Sequence, residues 1–205
     1  ALALVLLFVI WSGAALAENQ PNGSIIVSPQ TVDGVWGPGV ITATSDVVIN
    51  AGVVITVSPG TTVVVDGNYG LTVNGELRVV GPVTFTHPAA APGSWVGLVY
   101  APGSAGYLDR ATIEYAQRGL TLNTTNPIVV SHSTIRYNRH TASGAGVYIP
   151  AGDHQITGTL IHDNAVQGTG AVYGAGVFIE DNSTQISHSR IYSNTATTTG
   201  SQGGG

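Results

Sequence analysis

Four side chains able to do chemistry recur at one position of successive repeats: Glu114, Arg136, His162 and Tyr192. A carboxylate, a guanidinium, an imidazole and a phenol could together bind an anion or move a proton. Hydrolysis of a glycosidic bond by acid and base, however, needs two carboxyl groups that flank that bond, and the other acidic residues of these repeats share no common position. Glu114 and Arg136 could instead pair, which contributes about 0 to 1 kcal/mol at an exposed site. The pattern favours a structural row over a catalytic face, and we predict no catalytic residue.

Aromatic residues form a second recurring set, in which Tyr148 and Phe178 follow Thr121 in one column. Such a row could stack on sugar rings or pack against a protein partner. The alternative is a cross-strand pair that stabilises the sheet by about 0.2 to 1 kcal/mol, and this alternative is favoured. A possible ligand-contact face then comprises Arg136, Tyr148, His162, Phe178 and Tyr192.

Two histidines, His132 and His188, also share one position, with Gly158 between them. Two repeats of about 4.8 Å place the imidazoles about 10 Å apart, whereas histidine ligands lie about 2 Å from a shared metal ion. We therefore expect both to bond backbone groups at a corner. The chain has no cysteine, so a thiolate site is excluded, and we predict neither a metal nor a cofactor.

The elements that position these residues are short repeats. Two apolar columns have the same intervals of 22, 26 and 30 residues: Ile113, Ile135, Ile161 and Ile191, and Leu108, Val130, Ile156 and Ile186. Such periods, with alternating β-branched residues and Gly or Asn at the corners, predict a β-solenoid whose coils bury their apolar faces by stacking. A corner ladder is then expected, with amides about 4.8 Å apart that bond their neighbours: Asn138, Asn164 and Asn194.

Length varies in a single turn of the repeat. The gap between the corner residue and the next glycine grows from 3 residues (116 to 119) to 8 (138 to 146) and 12 (164 to 176). The loops of this turn should therefore lie together along one edge of the solenoid.

Two stretches carry a family resemblance. The motif Gly-Ala-Gly-Val-Tyr-Ile at 144–149 and the I-x-x-S-x-I-x-x-N run at 186–194 resemble right-handed parallel β-helix surface proteins with polymorphic outer-membrane-protein-type repeats, over residues 108–205. The stretches 51–62 and 70–77 resemble the opening coils of extracellular β-helix proteins of the pectin-lyase-like fold. The resemblance implies an all-β, single-stranded right-handed parallel β-helix of roughly seven coils and a non-enzymatic role as adhesin, stalk or passenger.

The same fold also hosts enzymes. Uronate lyases of this fold use carboxylates on neighbouring coils for Ca²⁺ and a basic proton abstractor, and its galacturonan hydrolases use close Asp residues. Neither set is found here. The alternative function, a polysaccharide lyase or glycoside hydrolase, would need a site outside these 205 residues.

The ends of the chain suggest export. Residues 1–17 are apolar and end in Ala-Leu-Ala, as in a signal peptide, and they are shorter than the about 20 residues of a membrane span. Residues 18–46 then form a linker and N-terminal cap, and 47–205 a β-helix cut inside a loop. We expect a secreted or cell-surface location and a partner that is a carbohydrate or a host or cell-surface protein.

The charge balance argues against a nucleic-acid partner. The chain has six arginines, no lysine and eleven acidic residues, which gives a net charge of −5.

Overall fold

The computed structural model describes residues 18–26, 28–180 and 183–199. Within these ranges the secondary structure consists of strands and turns, and the named strand pairs are parallel. The result is a parallel β-solenoid of about six turns, which confirms the predicted fold class and is close to the expected number of coils. The predicted signal peptide and residues 200–205 lie outside the described residues. None of the described residues belongs to a helix long and apolar enough to cross a membrane.

The strands follow one another at short intervals. In chain order they are β1 (Glu18–Gln20), β2 (Gly34–Trp36), β3 (Gly39–Ala43), β4 (Val47–Ile49), β5 (Val54–Val57), β6 (Thr61–Val65), β7 (Gly70–Val73), β8 (Glu76–Thr86), β9 (Gly97–Tyr100), β10 (Ala105–Glu114), β11 (Leu120–Asn123), β12 (Val129–Ser131), β13 (Thr134–Arg136), β14 (Arg139–His140), β15 (Val147–Ala151), β16 (Gln155–Thr157), β17 (Leu160–His162), β18 (Ala165–Gly168), β19 (Val177–Ile179), β20 (Gln185–Ser187), β21 (Arg190–Tyr192) and β22 (Thr195–Thr198).

Three faces wrap the core. The first face stacks β2, β5, β8, β10, β12, β16 and β20, and the second stacks β3, β6, β8, β10, β13, β17 and β21. Strands β8 and β10 belong to both because each continues through the corner at which the strands of later coils end, with a bulge at Arg110 in β10. The third face is the separate six-stranded sheet β4-β7-β9-β11-β15-β19.

The register agrees with the repeat read from the sequence. The isoleucine column pairs in order through β10, β13, β17 and β21, and the column that begins at Leu108 pairs in order through β10, β12, β16 and β20. Alternate residues are buried because successive side chains of a strand point to opposite faces. Ile113, Ile135 and Ile161 are buried, and Ile191, in the last described coil, is half-exposed.

The N-terminal segment 18–46 contributes strands to the same stack, since β2 pairs with β5 and β3 pairs with β6. Trp36 of β2 is fully buried, and its indole Nε1–H donates to Gln30 Oε1 at 3.4 Å.

The turn of variable length, between the corner residue and the next glycine, carries a separate three-stranded sheet of β14, β18 and β22. A small apolar cluster lies beneath it, formed by Ala145, Val166, Val172 and Ala175 with Ala196 packed against them. The loops therefore form an ordered layer along one edge, between the second and third faces.

Candidate functional site

The asparagine corner is a continuous hydrogen-bonded column. Asn138 Nδ2 donates to Asn164 Oδ1 at 2.9 Å, and Asn164 Nδ2 donates to Asn194 Oδ1 at 2.9 Å. The same oxygens accept the backbone N–H of the preceding asparagine at 3.1 Å, and Asn138 Oδ1 accepts that of Ala116 at 2.8 Å. The second proton of each Nδ2 reaches the carbonyl of an isoleucine in the preceding coil, at 2.9 to 3.3 Å. These bonds use the amides of Asn138 and Asn164, which are buried, so a ligand finds no free group there.

Glycines make room for this column. A Cβ at Gly146 would lie 2.9 Å from Asn164 Nδ2 and 2.4 Å from the carbonyl oxygen of Gly176. Gly119 and Gly176 stand in the same relation to Asn138 and Asn194, at 2.7 and 2.6 Å. The Gly and Asn positions of the repeat are therefore one packing unit that spans two coils.

At the corner between the first and second faces, hydroxyl groups take the place of the asparagine amides as acceptors of backbone N–H groups. The oxygens of Ser133, Thr159 and Ser189 accept the backbone N–H of the equivalent residue one coil earlier, at 3.1 to 3.4 Å. Sequence reasoning missed this column, although a Ser or Thr at one position of three repeats was a usable signal.

The third corner uses a histidine. His154 Nδ1 accepts the N–H of Ile128 at 3.1 Å, and His154 Nε2 lies 2.8 Å from the carbonyl of Ala151. One coil later, Thr184 Oγ1 accepts the N–H of His154 at 3.2 Å. Burial lowers the pKa of His154 below its ordinary value, and an acceptor Nδ1 with a donor Nε2–H requires the neutral ring.

The outward row of reactive residues is in register but already engaged. The carboxylate of Glu114 accepts from Arg136 Nε at 3.0 Å and from the Thr86 hydroxyl at 3.0 Å. The sequence predicted an exposed pair, yet Glu114 is only 8% exposed because Thr86 and Arg136 lie against it. His162 is buried as well, with Nδ1 2.7 Å from Asp163 Oδ2.

Aromatic rings extend this row along the corner between the second and third faces. We call the set Tyr115, Tyr137, His162 and Tyr192 the corner column. Tyr115 stacks on Tyr137 with ring centroids 5.8 Å apart, His162 meets Tyr137 edge-on at 6.1 Å, and His162 stacks on Tyr192 at 4.9 Å. Tyr115 and Tyr137 have left-handed backbone, with φ of 65° and 55°. That conformation could not be predicted from the sequence, because residues that adopt it are usually Gly or Asn.

A second group, the third-face cluster, surrounds Tyr148. Its ring lies 4.2 Å from the Arg118 guanidinium and is parallel to Phe178 at 6.0 Å, and Phe178 is nearly parallel to Tyr173 at 6.3 Å. The Tyr148 hydroxyl donates to Glu180 Oε1 at 2.6 Å, and this bond raises the pKa of Tyr148.

The five residues predicted as one ligand-contact face thus divide between two sheets. Tyr148 and Phe178 meet on the third face, and Arg136, His162 and Tyr192 lie on the second. Within the described residues no group of three or more His, Asp or Glu side chains could hold a metal ion.

Comparisons with known proteins add no family. Neither a family model, nor a curated protein, nor a solved structure matches this chain significantly. The parallel β-solenoid is shown by the structure itself, and the finer resemblance to polymorphic outer-membrane-protein-type and pectin-lyase-like proteins stays a prediction.

Proposed function

We propose that this chain is a non-enzymatic β-solenoid, exported to the cell surface or the medium, where it serves as an adhesin, stalk or passenger-type repeat region. The main support is that outward carboxylates are bonded to side chains of neighbouring coils: Glu114 accepts from Thr86 and Arg136, Asp109 from Ser131, and Glu180 from Tyr148. A catalytic carboxylate must instead meet its substrate in the right protonation state. Contacts that repeat from coil to coil suit a structural rod.

The partner surface that we propose is the third-face cluster beside the loop layer. Tyr173 is 50% exposed, and its backbone N–H is fixed by Ser143 Oγ at 2.9 Å. Arg118 Nη2 donates to the Ser143 carbonyl at 3.1 Å, so the loop also holds the guanidinium. The exposed Tyr173 ring lies against Phe178, and Phe178 against Tyr148, which contacts the Arg118 guanidinium and the Glu180 carboxylate. This apolar surface with polar groups beside it suits a carbohydrate or a cell-surface protein.

A binding assay tests this surface. Tyr173→Ala should weaken adhesion to a glycan array or to intact cells, because it removes the exposed ring. Tyr137→Ala in the corner column is the matched control, since that ring is stacked within its own column. Equal binding by wild type and Tyr173→Ala would reject the third-face cluster as the contact surface.

An activity assay tests the non-enzymatic claim separately. We expect no unsaturated uronides and no reducing sugars from pectate, pectin or alginate, with or without Ca²⁺. Turnover that persists through purification and disappears on a single substitution within 108–194 would contradict the claim.

A further inference from the structure

The corner between the first and second faces, called the first corner below, carries a column of four residues with left-handed backbone. These are Arg110, His132, Gly158 and His188, with φ of 52°, 49°, 59° and 52°. The two histidines belong to coils on either side of the glycine. Both are exposed, and the side chain of His132 is 68% accessible.

The ring of His132 extends across much of the distance between the coils of His132 and His188. An ideal Cβ at Gly158 would lie 3.0 Å from His132 Cδ2 and 3.5 Å from its Nε2. The imidazole therefore leans along the solenoid axis, over the glycine and toward the coil of His188. The predicted separation of about 10 Å corresponds to two coil spacings, and the His132 ring crosses part of it because Gly158 has no side chain.

A carboxylate orients the His132 ring. Asp109 Oδ1 lies 3.2 Å from His132 Nδ1 and also accepts from Ser131 Oγ at 2.9 Å, while Asp109 Oδ2 accepts from Arg110 Nε at 3.0 Å. A carboxylate at Nδ1 favours the tautomer whose lone pair is on Nε2, an arrangement that supports metal-binding histidines.

We propose that His132 and His188 form a two-histidine site for a divalent transition metal ion such as Zn²⁺ at the first corner. Nε2 of His132 and one ring nitrogen of His188 are the protein ligands, at about 2.0–2.1 Å from the ion. Imidazole nitrogen suits Zn²⁺, Cu²⁺ and Ni²⁺, and water completes the coordination. Asp109 acts as a positioning residue through Nδ1 of His132.

Calorimetric titration of the tag-free 205-residue chain with ZnCl₂ tests the site. One ion should bind per chain at neutral pH, and His132→Ala or His188→Ala should each weaken binding by more than about tenfold, with Asp109→Asn weakening it by about tenfold. His87→Ala is the matched control and should bind as the wild type does.

Gly158→Asn separates this geometry from loose binding by single histidines. Asn tolerates left-handed backbone, keeps both imidazoles and fills the gap between them, so Zn²⁺ affinity should fall as in His188→Ala while the thermal midpoint shows a folded protein. No binding at millimolar Zn²⁺, or unchanged binding by His188→Ala or Gly158→Asn, would overturn the proposal.

Discussion

The N-terminal and C-terminal coils of this solenoid turn their corners by different means. In the N-terminal coils, glycines such as Gly52 and Gly103 adopt φ of 80° and 84° with open space around them. In the C-terminal coils, two corners combine a left-handed residue with a polar side chain that accepts a backbone N–H from the coil before, as Asn138 follows Tyr137 and Ser133 follows His132.

The two kinds of corner keep successive coils in register in different ways. An open glycine turn satisfies the backbone locally and places no side chain between coils, and in the N-terminal coils such bonds come from separate residues, such as Asp33 and Asp46, whose carboxylates accept the N–H of Val54 and Gly70. A side-chain corner bonds each coil to the next, so its register stays fixed while the neighbouring loop lengthens from coil to coil. Sensitivity to corner substitutions should therefore be concentrated in the C-terminal coils.

The largest contrast is expected between two glycines. Gly146→Ala should destabilise by about 4 kcal/mol, since its Cβ would displace Asn164 and the Gly176 carbonyl. Gly103→Ala should cost about 1 to 2 kcal/mol, from left-handed backbone strain alone. Urea unfolding measures both, and equal losses would erase the distinction between the two kinds of corner.

Asparagines give the next contrast. Asn164→Ala should cost about 3 kcal/mol, because it leaves the Asn138 N–H and the Ile135 carbonyl without their partner. Asn138→Ala should cost about 1 kcal/mol less, since its column neighbour on one side is Ala116 and one amide–amide bond fewer is lost.

Asn74, in the N-terminal coils, is the control, since its side chain makes no hydrogen bond within the described ranges. Asn74→Ala should lie within about 0.5 kcal/mol of the wild type. A loss at Asn74 as large as that at Asn164 would contradict the contrast.

The histidine corner adds a pH dependence. Burial holds the pKa of His154 below its ordinary value, so the unfolded chain binds the proton more readily. Its contribution to stability is complete above about pH 6.5 and is lost as the pH falls toward the folded pKa. Burial, with a smaller effect of Arg118, lowers the pKa of His140 and adds a loss in the same direction.

Thermal midpoints at about pH 7.5 and about pH 5.5 should therefore differ, and the difference should shrink in His154→Gln. Gln keeps an acceptor for the Ile128 N–H and does not titrate. A pH dependence unchanged by His154→Gln would assign it to other groups.

The smallest effect concerns the corner column. Tyr137→Leu should cost about 0.5 to 1.5 kcal/mol beyond lost area, because it removes the stack on Tyr115 and the edge contact with His162. Tyr107→Leu on the first face has no ring partner among the described residues, and it should change stability by less than about 0.5 kcal/mol. Indistinguishable melts for the two variants would show that ring stacking contributes little.

Periodicity explains which features the sequence predicts. The buried isoleucines alternate strictly and their intervals agree in two columns, so strand pairing and register follow from spacing. Asn164 was placed at a corner because Asn recurs there, and the structure shows its bonds.

Other features depend on conformation that spacing does not encode. From the sequence alone, the hydroxyl of Thr159 cannot be distinguished from the hydroxyl of a solvent-exposed strand residue. The left-handed backbone of Tyr137 and the lean of His132 over Gly158 follow from backbone dihedrals and side-chain rotamers, and a column assignment specifies neither. The predicted contact face joined two columns that lie on different sheets, since spacing aligns residues within a column and does not place one column beside another.

Amide hydrogen exchange tests most directly whether side chains hold the C-terminal coils together. The N–H groups of Ala116 and Asn138 are bonded to side-chain oxygens of the next coil, whereas that of Asn74 is bonded to the backbone carbonyl of Ile49. In Asn164→Ala, exchange at Asn138 should accelerate by at least about tenfold more than at Ala116 or Asn74, because only Asn138 loses its acceptor. Uniform acceleration at all three amides, or unchanged protection at Asn138, would contradict the claim.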